Sequence, residues 1–324
     1  MTPDQITYTV FGVLLVLALI FDLGLLSKKN KTITIRQALY QTFFWVGLAL
    51  GFFVFVWIEE GQVIAFEYIS AYLMEWSLSI DNIFVFILIF SSFSVKANYI
   101  PRVLLIGILM AIVFRVIFIT VGVALVDQFH WILYLFGAFL IYTGYKMFVT
   151  TEHEEFDPHD TRFYKWIIRV LPVVKHDGGG KFVVTENGKR LYTSLAIVVL
   201  MLAAIDLVFA LDSIPAVMGI SRNKLVIYTS NIFAVLGLRS LFFLLRGAVT
   251  KFDYLQQGIA VVLVFIGIKM LAEHWLLEWI DKQTMVLISL GVILVCIAAS
   301  IFYSIFIDKP GVPEDVIDDS IGES

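Results

Sequence analysis

Nine apolar runs, each close to the length of a membrane-spanning helix, alternate with polar links along the chain. Their approximate bounds are 5–26, 38–58, 66–94, 101–125, 131–149, 193–220, 225–249, 255–275 and 284–307. A helix that crosses a bilayer needs about 20 predominantly apolar residues, and each run supplies roughly that number. None shows the short alternating pattern of an outer-membrane barrel strand. The pattern predicts an all-α polytopic membrane protein of about nine helices, with residues 1–324 forming one membrane domain. The first run has no positive charge before it and no small-residue cleavage site after it, so it is expected to remain as a helix.

Composition agrees. Of 324 residues, 60% are hydrophobic and 15% are charged, and the mean hydropathy is +0.91. A soluble domain carries about 25% charge, so a soluble enzyme and a disordered chain are both excluded. The net charge of −4 offers no basic field for nucleic acid. One cysteine, Cys296, makes neither an intrachain disulfide nor a paired-thiol metal site. It reads as a small buried apolar residue.

The few charges in the links predict an orientation. If the N-terminus is outside, the inner links hold thirteen Lys or Arg and the outer links three, among them Arg222 and Lys224. The positive-inside rule then puts the N-terminus outside and the C-terminus in the cytoplasm. One inner link is long, 150–192. It carries Glu152, His153, Glu154, Glu155, Asp157, His159 and Asp160, then Gly178-Gly179-Gly180, and it reads as a solvated loop with metal sensing as the alternative. Residues 182–189 predict a hairpin around Asn187-Gly188. The tail 308–324 is acidic and expected to be solvated.

Some charges did not go to the links. Asp22, Glu75, Asp81, Arg115, Asp206, Asp212 and Arg239 lie inside apolar runs, with Lys146 and Lys269 nearer the ends. A charge at mid-membrane costs about 2.5–3.5 kcal/mol on insertion scales. Such residues are functional candidates unless they pair structurally. Structural pairing is a strong alternative for Arg115, Arg239 and Asp22, and a weaker one for the four acids at 75, 81, 206 and 212.

The arrangement of those acids is the reason. Glu75 and Asp81, followed by Asn82 and Ile83, align with Asp206 and Asp212, followed by Ser213 and Ile214. Downstream, Arg115 aligns with Arg239, and Gly144-Tyr-Lys146-Met147 with Gly267-Ile-Lys269-Met270. The matches stay in order. They define three-helix repeats at 66–149 and 193–275, separated by the long loop and followed by a last helix at 284–307. An odd number of helices inserts the two copies in opposite directions, an architecture that places substrate near the midplane between repeats. Six residues on an ideal helix turn through about 600°, so the two acids of a pair do not share a face. For both to reach one ion the helix must bend or break. Pro215 removes a hydrogen bond to the Leu211 carbonyl and predicts a break in the second copy.

The inward polar groups are oxygens: four carboxylates with Asn82, Asn231, Ser79 and Ser213. The five histidines lie at or beyond the span ends. Oxygen donors suit Mg²⁺, Ca²⁺ and Mn²⁺.

The stretches Glu75-Trp-Ser-Leu-Ser-Ile-Asp81-Asn82 and Asp206-Leu-Val-Phe-Ala-Leu-Asp212-Ser213-Ile214-Pro215-Ala216 closely resemble the two signatures of the TerC family of integral membrane proteins. Leu225 to Met270 is similar to the Alx-like branch. The resemblance spans residues 5–307. It implies a nine-helix protein of the bacterial inner membrane that exports Mn²⁺, with the paired acids as ligands. Older members were named for tellurite resistance, and a chloroplast relative is linked to thylakoid assembly.

Three functions follow as expectations. The first is Mn²⁺ export through a site of Glu75, Asp81, Asn82, Asp206, Asp212, Ser213 and Asn231, with Arg115 and Arg239, and Lys146, Lys269 and Asp22, in charge pairing or gating. Mn²⁺ is cargo here rather than a prosthetic group, and Ca²⁺ as rival cargo and protons as coupling ion stay open. The second is an intramembrane protease, disfavoured because the Gly-x-Gly-Asp sequence is missing. The protein is therefore expected not to be an enzyme. The third is an assembly or insertion factor, which would not need buried acids in both repeats.

Overall fold

A computed structural model describes residues 3–26, 33–149, 157–186, 188–246 and 254–306; within these, the side chains of residues 3, 4, 19, 21–26, 81, 274, 305 and 306 are not described. The described residues form ten α-helices: α1 (Pro3–Leu26), α2 (Ile35–Glu59), α3 (Gln62–Ser92), α4 (Ile100–Gln128), α5 (Ile132–Val149), α6 (Arg162–Val170), α7 (Ser194–Ile220), α8 (Lys224–Leu245), α9 (Leu255–Trp279) and α10 (Lys282–Phe306). Eight of them, α2–α5 and α7–α10, are long and apolar enough to cross a membrane, while α1 contributes an apolar stretch at Gln5–Ala18. Together they coincide with the nine apolar runs.

Local chemistry sets many helix ends. Thr34 caps α2 through its hydroxyl, which accepts from the Gln37 N–H, while the Gln37 side chain accepts from the Thr34 N–H. Gly61 turns the chain between α2 and α3 at φ 91°, which favours glycine. Pro101 opens α4. Asn223 caps α8 by accepting from the Leu225 N–H at 2.9 Å, and Asp281 caps α10 by accepting from the Thr284 N–H at 3.0 Å.

The packing follows a two-fold pattern. Helix α5 lies along α9, α3 along α8, and α4 along α7, with α3 also against α7 and α4 against α8. Exchanging α3–α5 for α7–α9 maps these contacts onto themselves. Glycines carry the closest crossing. A Cβ on Gly144 would meet the Ala260 carbonyl oxygen at 2.7 Å, and one on Gly267 would meet that of Gly137 at 2.6 Å. Under the alignment that matches 144 with 267, residue 137 matches 260. The two contacts are therefore the same contact seen from either half. Small residues allow this backbone approach, the usual device for helix association in lipid.

Helix α8 is apolar all round and buried along almost its whole length at the centre of the bundle. Helix α2 packs on α3 and α8, α10 on α3 and α9, and α1 touches α2 and α8. Phe11 of α1 meets Phe52 and Phe233 in an aromatic cluster with Tyr68.

The loop after α5 is docked rather than freely solvated. Strands β1 (Val183–Glu186) and β2 (Lys189–Tyr192) form the expected hairpin; Asn187 itself lies outside the described residues. The segment is strapped to the α3–α4 turn. The Lys96 ammonium lies 3.1 Å from Asp177, the Arg102 guanidinium donates to the Gly180 carbonyl at 3.2 Å, and it also stacks over Phe182. Gly179 N–H and Lys96 hold the Asp177 carboxyl below its ordinary range. Of the acidic–histidine cluster, residues 152–155 lie outside the described residues. The His159 Nδ1 lies within hydrogen-bonding distance of Asp157 Oδ1, at 3.1 Å, and the ring packs against Phe93 and Tyr164, which is a packing role.

Candidate cation site in the membrane

The ionisable groups near the middle of α3, α4 and α7 converge. Arg115 of α4 is fully buried. Its Nε donates to Asp206 Oδ2 at 2.8 Å and its Nη2 to Asp206 Oδ1 at 3.1 Å, a fork-on-carboxylate pairing. Its Nη1 donates to Glu75 Oε2 at 2.7 Å and to Asn231 Oδ1 at 3.0 Å. Asn231 is oriented by its own amide, which donates to the Ile227 carbonyl at 3.1 Å. One guanidinium thus joins the leading acid of each repeat, and the group carries one net negative charge.

Three oxygens on the stripes of α3 and α7 that carry Glu75 and Asp206 are buried with no hydrogen-bond partner among the described residues: Glu75 Oε1, Ser79 Oγ and Ser213 Oγ. The serines stand out because their neighbours behave otherwise. Ser70, Ser77, Thr120, Thr229, Ser289 and Ser300 each donate to the carbonyl one turn back, the ordinary arrangement in membrane helices. Ser79 lies one turn from Glu75, and Ser213, which matches Asn82 in the repeat, lies about two turns from Asp206 on the same stripe of α7. A buried hydroxyl left open in a dry environment costs roughly 1–3 kcal/mol. Asp206 also borders a crevice among Phe86, Gly107, Leu202 and Leu238 that is too narrow for water.

The remaining predicted residues go elsewhere. Helices α3 and α7 run unbroken, Pro215 included, so the second acid of each pair keeps a different face from the first. Asp212 is part-buried and accepts from the Thr143 hydroxyl of α5 at 3.3 Å. The expected break at Pro215 does not occur, since the helix tolerates one lost backbone bond within a packed bundle. Asp81 lies in α3, but its side chain is outside the described residues, as is that of Asp22. Asn82 and Arg239 are buried, and Lys146 is exposed at the end of α5. Among the described residues no three His, Cys, Asp or Glu side chains come together as a metal cage.

A second ionic cluster, at the end of the bundle away from the loop, was not singled out by the sequence. Glu67 lies five residues into α3 and is almost fully buried. It accepts from the Ser221 hydroxyl of α7 and pairs with Lys282 of α10 at 2.9 Å. Nearby, Arg222 pairs with Glu273 beside a cavity of about 240 Å³ that His130, Tyr134 and Met270 also line. Lys269 is buried in α9 within the field of Glu67 and Glu273. The acidic Glu67 sits at the edge of an apolar run, where a charge is unremarkable, and only the bundle buries it.

A model of the integral membrane protein TerC family matches residues 60–311, which take in α3 through α10. The chain belongs to the TerC family. A relative in Myxococcus xanthus, described only as a membrane protein, is 44% identical over 78% of this chain and 79% of its own length. One in Rickettsia bellii is 39% identical over 94% of this chain and 98% of its own. A TerC-family relative in Escherichia coli K12, named Alx and described as a candidate membrane-bound redox modulator, is 40% identical over 81% of this chain and 84% of its own. No solved structure matches the chain.

Proposed function

We propose that this TerC-family protein exports divalent cations, with Mn²⁺ as the cargo, across a bacterial inner membrane. The observation that carries the reading is Arg115 held between Glu75 and Asp206, with three buried oxygens on the same two helices that have no hydrogen-bond partner among the described residues. A positive group already stands between carboxylates from both repeats, the place a cation cargo would take. Carboxylate, amide and hydroxyl oxygens are the donors that Mn²⁺, Ca²⁺ and Mg²⁺ accept. Cargo would displace Arg115 from one or both acids and engage Ser79 and Ser213. Asp81 and Asp212 would serve as entry or release stations on other faces of the same helices.

The two-fold packing of α3–α5 on α7–α9 supports alternating access by one half rocking against the other. The pairs Glu67–Lys282 and Arg222–Glu273 tie α3 to α10 and the α7–α8 link to α9 at the far end, and there they would act as the gate. Protonation of a carboxylate on release would couple export to the proton gradient. The Alx relatives bear a redox description. A single cysteine gives this chain no intrachain dithiol, so a redox effect would follow from the metal moved. In this reading the protein is not an enzyme, and its N-terminus lies outside.

The test is metal flux in vesicles reconstituted with the full chain. Mn²⁺, Ca²⁺ and Mg²⁺ are compared with and without a pH gradient, for wild type and for Glu75→Gln, Asp206→Asn and Asp212→Asn. The expected result is saturable Mn²⁺ flux that falls by tenfold or more in each variant, by roughly the order of one lost charged contact. Mn²⁺ flux equal to that of empty vesicles, or unchanged in all three variants, would refute export. A cellular phenotype that survives alanine at all four acids would instead favour the assembly-factor reading.

A further inference from the structure

Helix α6 has a face that the bundle does not use. At about 100° per residue, Phe163, Trp166 and Val170 fall within an arc of about 60°, and all three are exposed, Trp166 to 56% and Val170 to 55%. Phe163 and Trp166 stack on one another with ring centroids 5.9 Å apart. Beside this stripe lie Arg162 and Arg169, about 20° apart on the same projection. Lys165 is paired with Asp160 at 3.0 Å. Arg162 and Arg169 have no ion-pair partner among the described residues.

The adjoining side, about 40–100° round from Phe163, anchors the helix at a definite depth. Ile167 is fully buried, α6 packs on α7, and Tyr164 meets Phe93 at the end of α3. Phe93 is the C-cap of α3, so the Tyr164 contact lies where a membrane-spanning helix ends, which is the depth of the lipid headgroups. A stacked aromatic pair with an aliphatic neighbour, flanked by two free arginines at that depth, has the composition of a helix lying in the interface plane. Trp and Phe favour the boundary between acyl chains and headgroups. Juxtamembrane Lys and Arg are attracted to anionic lipid by about 1 kcal/mol each.

We propose that α6 is a membrane-surface helix that recognises anionic lipid. Phe163, Trp166 and Val170 enter the headgroup–acyl boundary, and Arg162 and Arg169 bind lipid phosphates. The occupant of this face is a lipid surface. The hairpin and the strap to the α3–α4 turn follow α6 in the chain, so lipid contact at α6 reaches the loop end of the two repeats. The proposal does not depend on what the bundle transports.

The chain has one cysteine, which makes site-directed labelling direct. In a Cys296→Ser background, single cysteines are introduced as Phe163→Cys, Trp166→Cys and Val170→Cys, with Arg190→Cys on the hairpin as the solvated reference. Each full-length variant is spin-labelled and reconstituted in phosphatidylcholine vesicles with and without phosphatidylglycerol. Collisions with oxygen, which concentrates in lipid, are compared with those of a water-soluble nickel chelate. The expected result is a several-fold higher oxygen-to-nickel ratio at the three α6 sites than at residue 190. That ratio should rise with phosphatidylglycerol and lose the rise in Arg162→Gln/Arg169→Gln. Nickel exposure equal to the reference would show a solvated face and overturn the proposal. Shielding from both reagents would show cover by protein, from a second copy or another partner, and would equally overturn it. Lipid contact indifferent to phosphatidylglycerol would overturn the anionic recognition.

Discussion

Removing Arg115 tests the energetic reading of the buried network most directly. The guanidinium makes four hydrogen bonds, two to Asp206, one to Glu75 and one to Asn231, at 2.7–3.1 Å. Arg115→Leu leaves two buried carboxylates facing each other with no counter-ion. Breaking a buried ionic network by deleting one partner costs about 3–5 kcal/mol. Removing an acid is different. Asp206→Asn or Glu75→Gln leaves one arginine and one carboxylate, a neutral pair, and costs about 1–3 kcal/mol in lost charged hydrogen bonding. Carboxylates left without a cation therefore separate the two kinds of variant: Arg115→Leu strands two, a formal charge of −2, while each single acid variant keeps its remaining carboxylate on Arg115, a formal charge of 0. The triple variant Arg115→Leu/Glu75→Gln/Asp206→Asn also carries 0 and should recover most of what Arg115→Leu loses. The assay is reversible denaturant unfolding in mixed micelles, read by circular dichroism at fixed pH and salt. An Arg115→Leu variant within about 1 kcal/mol of wild type would refute the reasoning, since that is the scale of a surface pair. So would a triple variant no more stable than Arg115→Leu, because stranded charge could not then be the cause.

Further outcomes follow from other contacts. Gly144→Ala and Gly267→Ala should each destabilise the bundle by about 1–3 kcal/mol through overpacking, because the new Cβ meets a carbonyl oxygen of the facing helix at 2.7 and 2.6 Å. Gly47→Ala, which meets nothing within 4 Å, should not; equal unfolding midpoints for the three would contradict the close crossing. Glu67→Gln keeps an acceptor for Ser221 but loses the charge opposite Lys282. It should raise accessibility to aqueous thiol reagents of a cysteine placed at Met270 in a Cys296→Ser background, and unchanged labelling would speak against a far-end gate. The Asp177 carboxyl is held below its ordinary value near 3.8, first by the Gly179 N–H and then by Lys96. A lowered folded value stabilises above the unfolded one and is lost as pH falls through the folded one. Backbone hydrogen exchange in 172–193 should therefore show a strap of constant strength from pH 5 to 8 that loosens below about pH 4, whereas loosening already at pH 6 would show that the Asp177 carboxyl does not set its strength.

The sequence by itself determined the bundle, because lipid leaves little choice. Apolar runs of bilayer length must be helices, since backbone groups in hydrocarbon can bond only within the segment. Charges retained in such runs mark themselves by their cost, and their repetition at 75/81 and 206/212 was readable as a pattern. The alignment of Gly144 with Gly267 was readable too, as a marker of the repeat, but that both glycines sit at the α5–α9 crossing was not. Only the tertiary structure decided which charges meet. Sequence spacing says that residues 75 and 81 face different ways, yet it does not say which neighbour each face receives. That depends on how helices distant in the chain cross, and the crossing placed Arg115 between Glu75 and Asp206 while sending Asp212 to Thr143. Glu67 shows the same limit from the other side. Near the start of an apolar run its carboxylate looks solvated, and it is buried only because α7 and α10 close over it. The docking of the loop was hidden for a related reason. Its polarity suggested water on every side, whereas Asp177, Gly180 and Phe182 find partners on the α3–α4 turn that no local pattern announces.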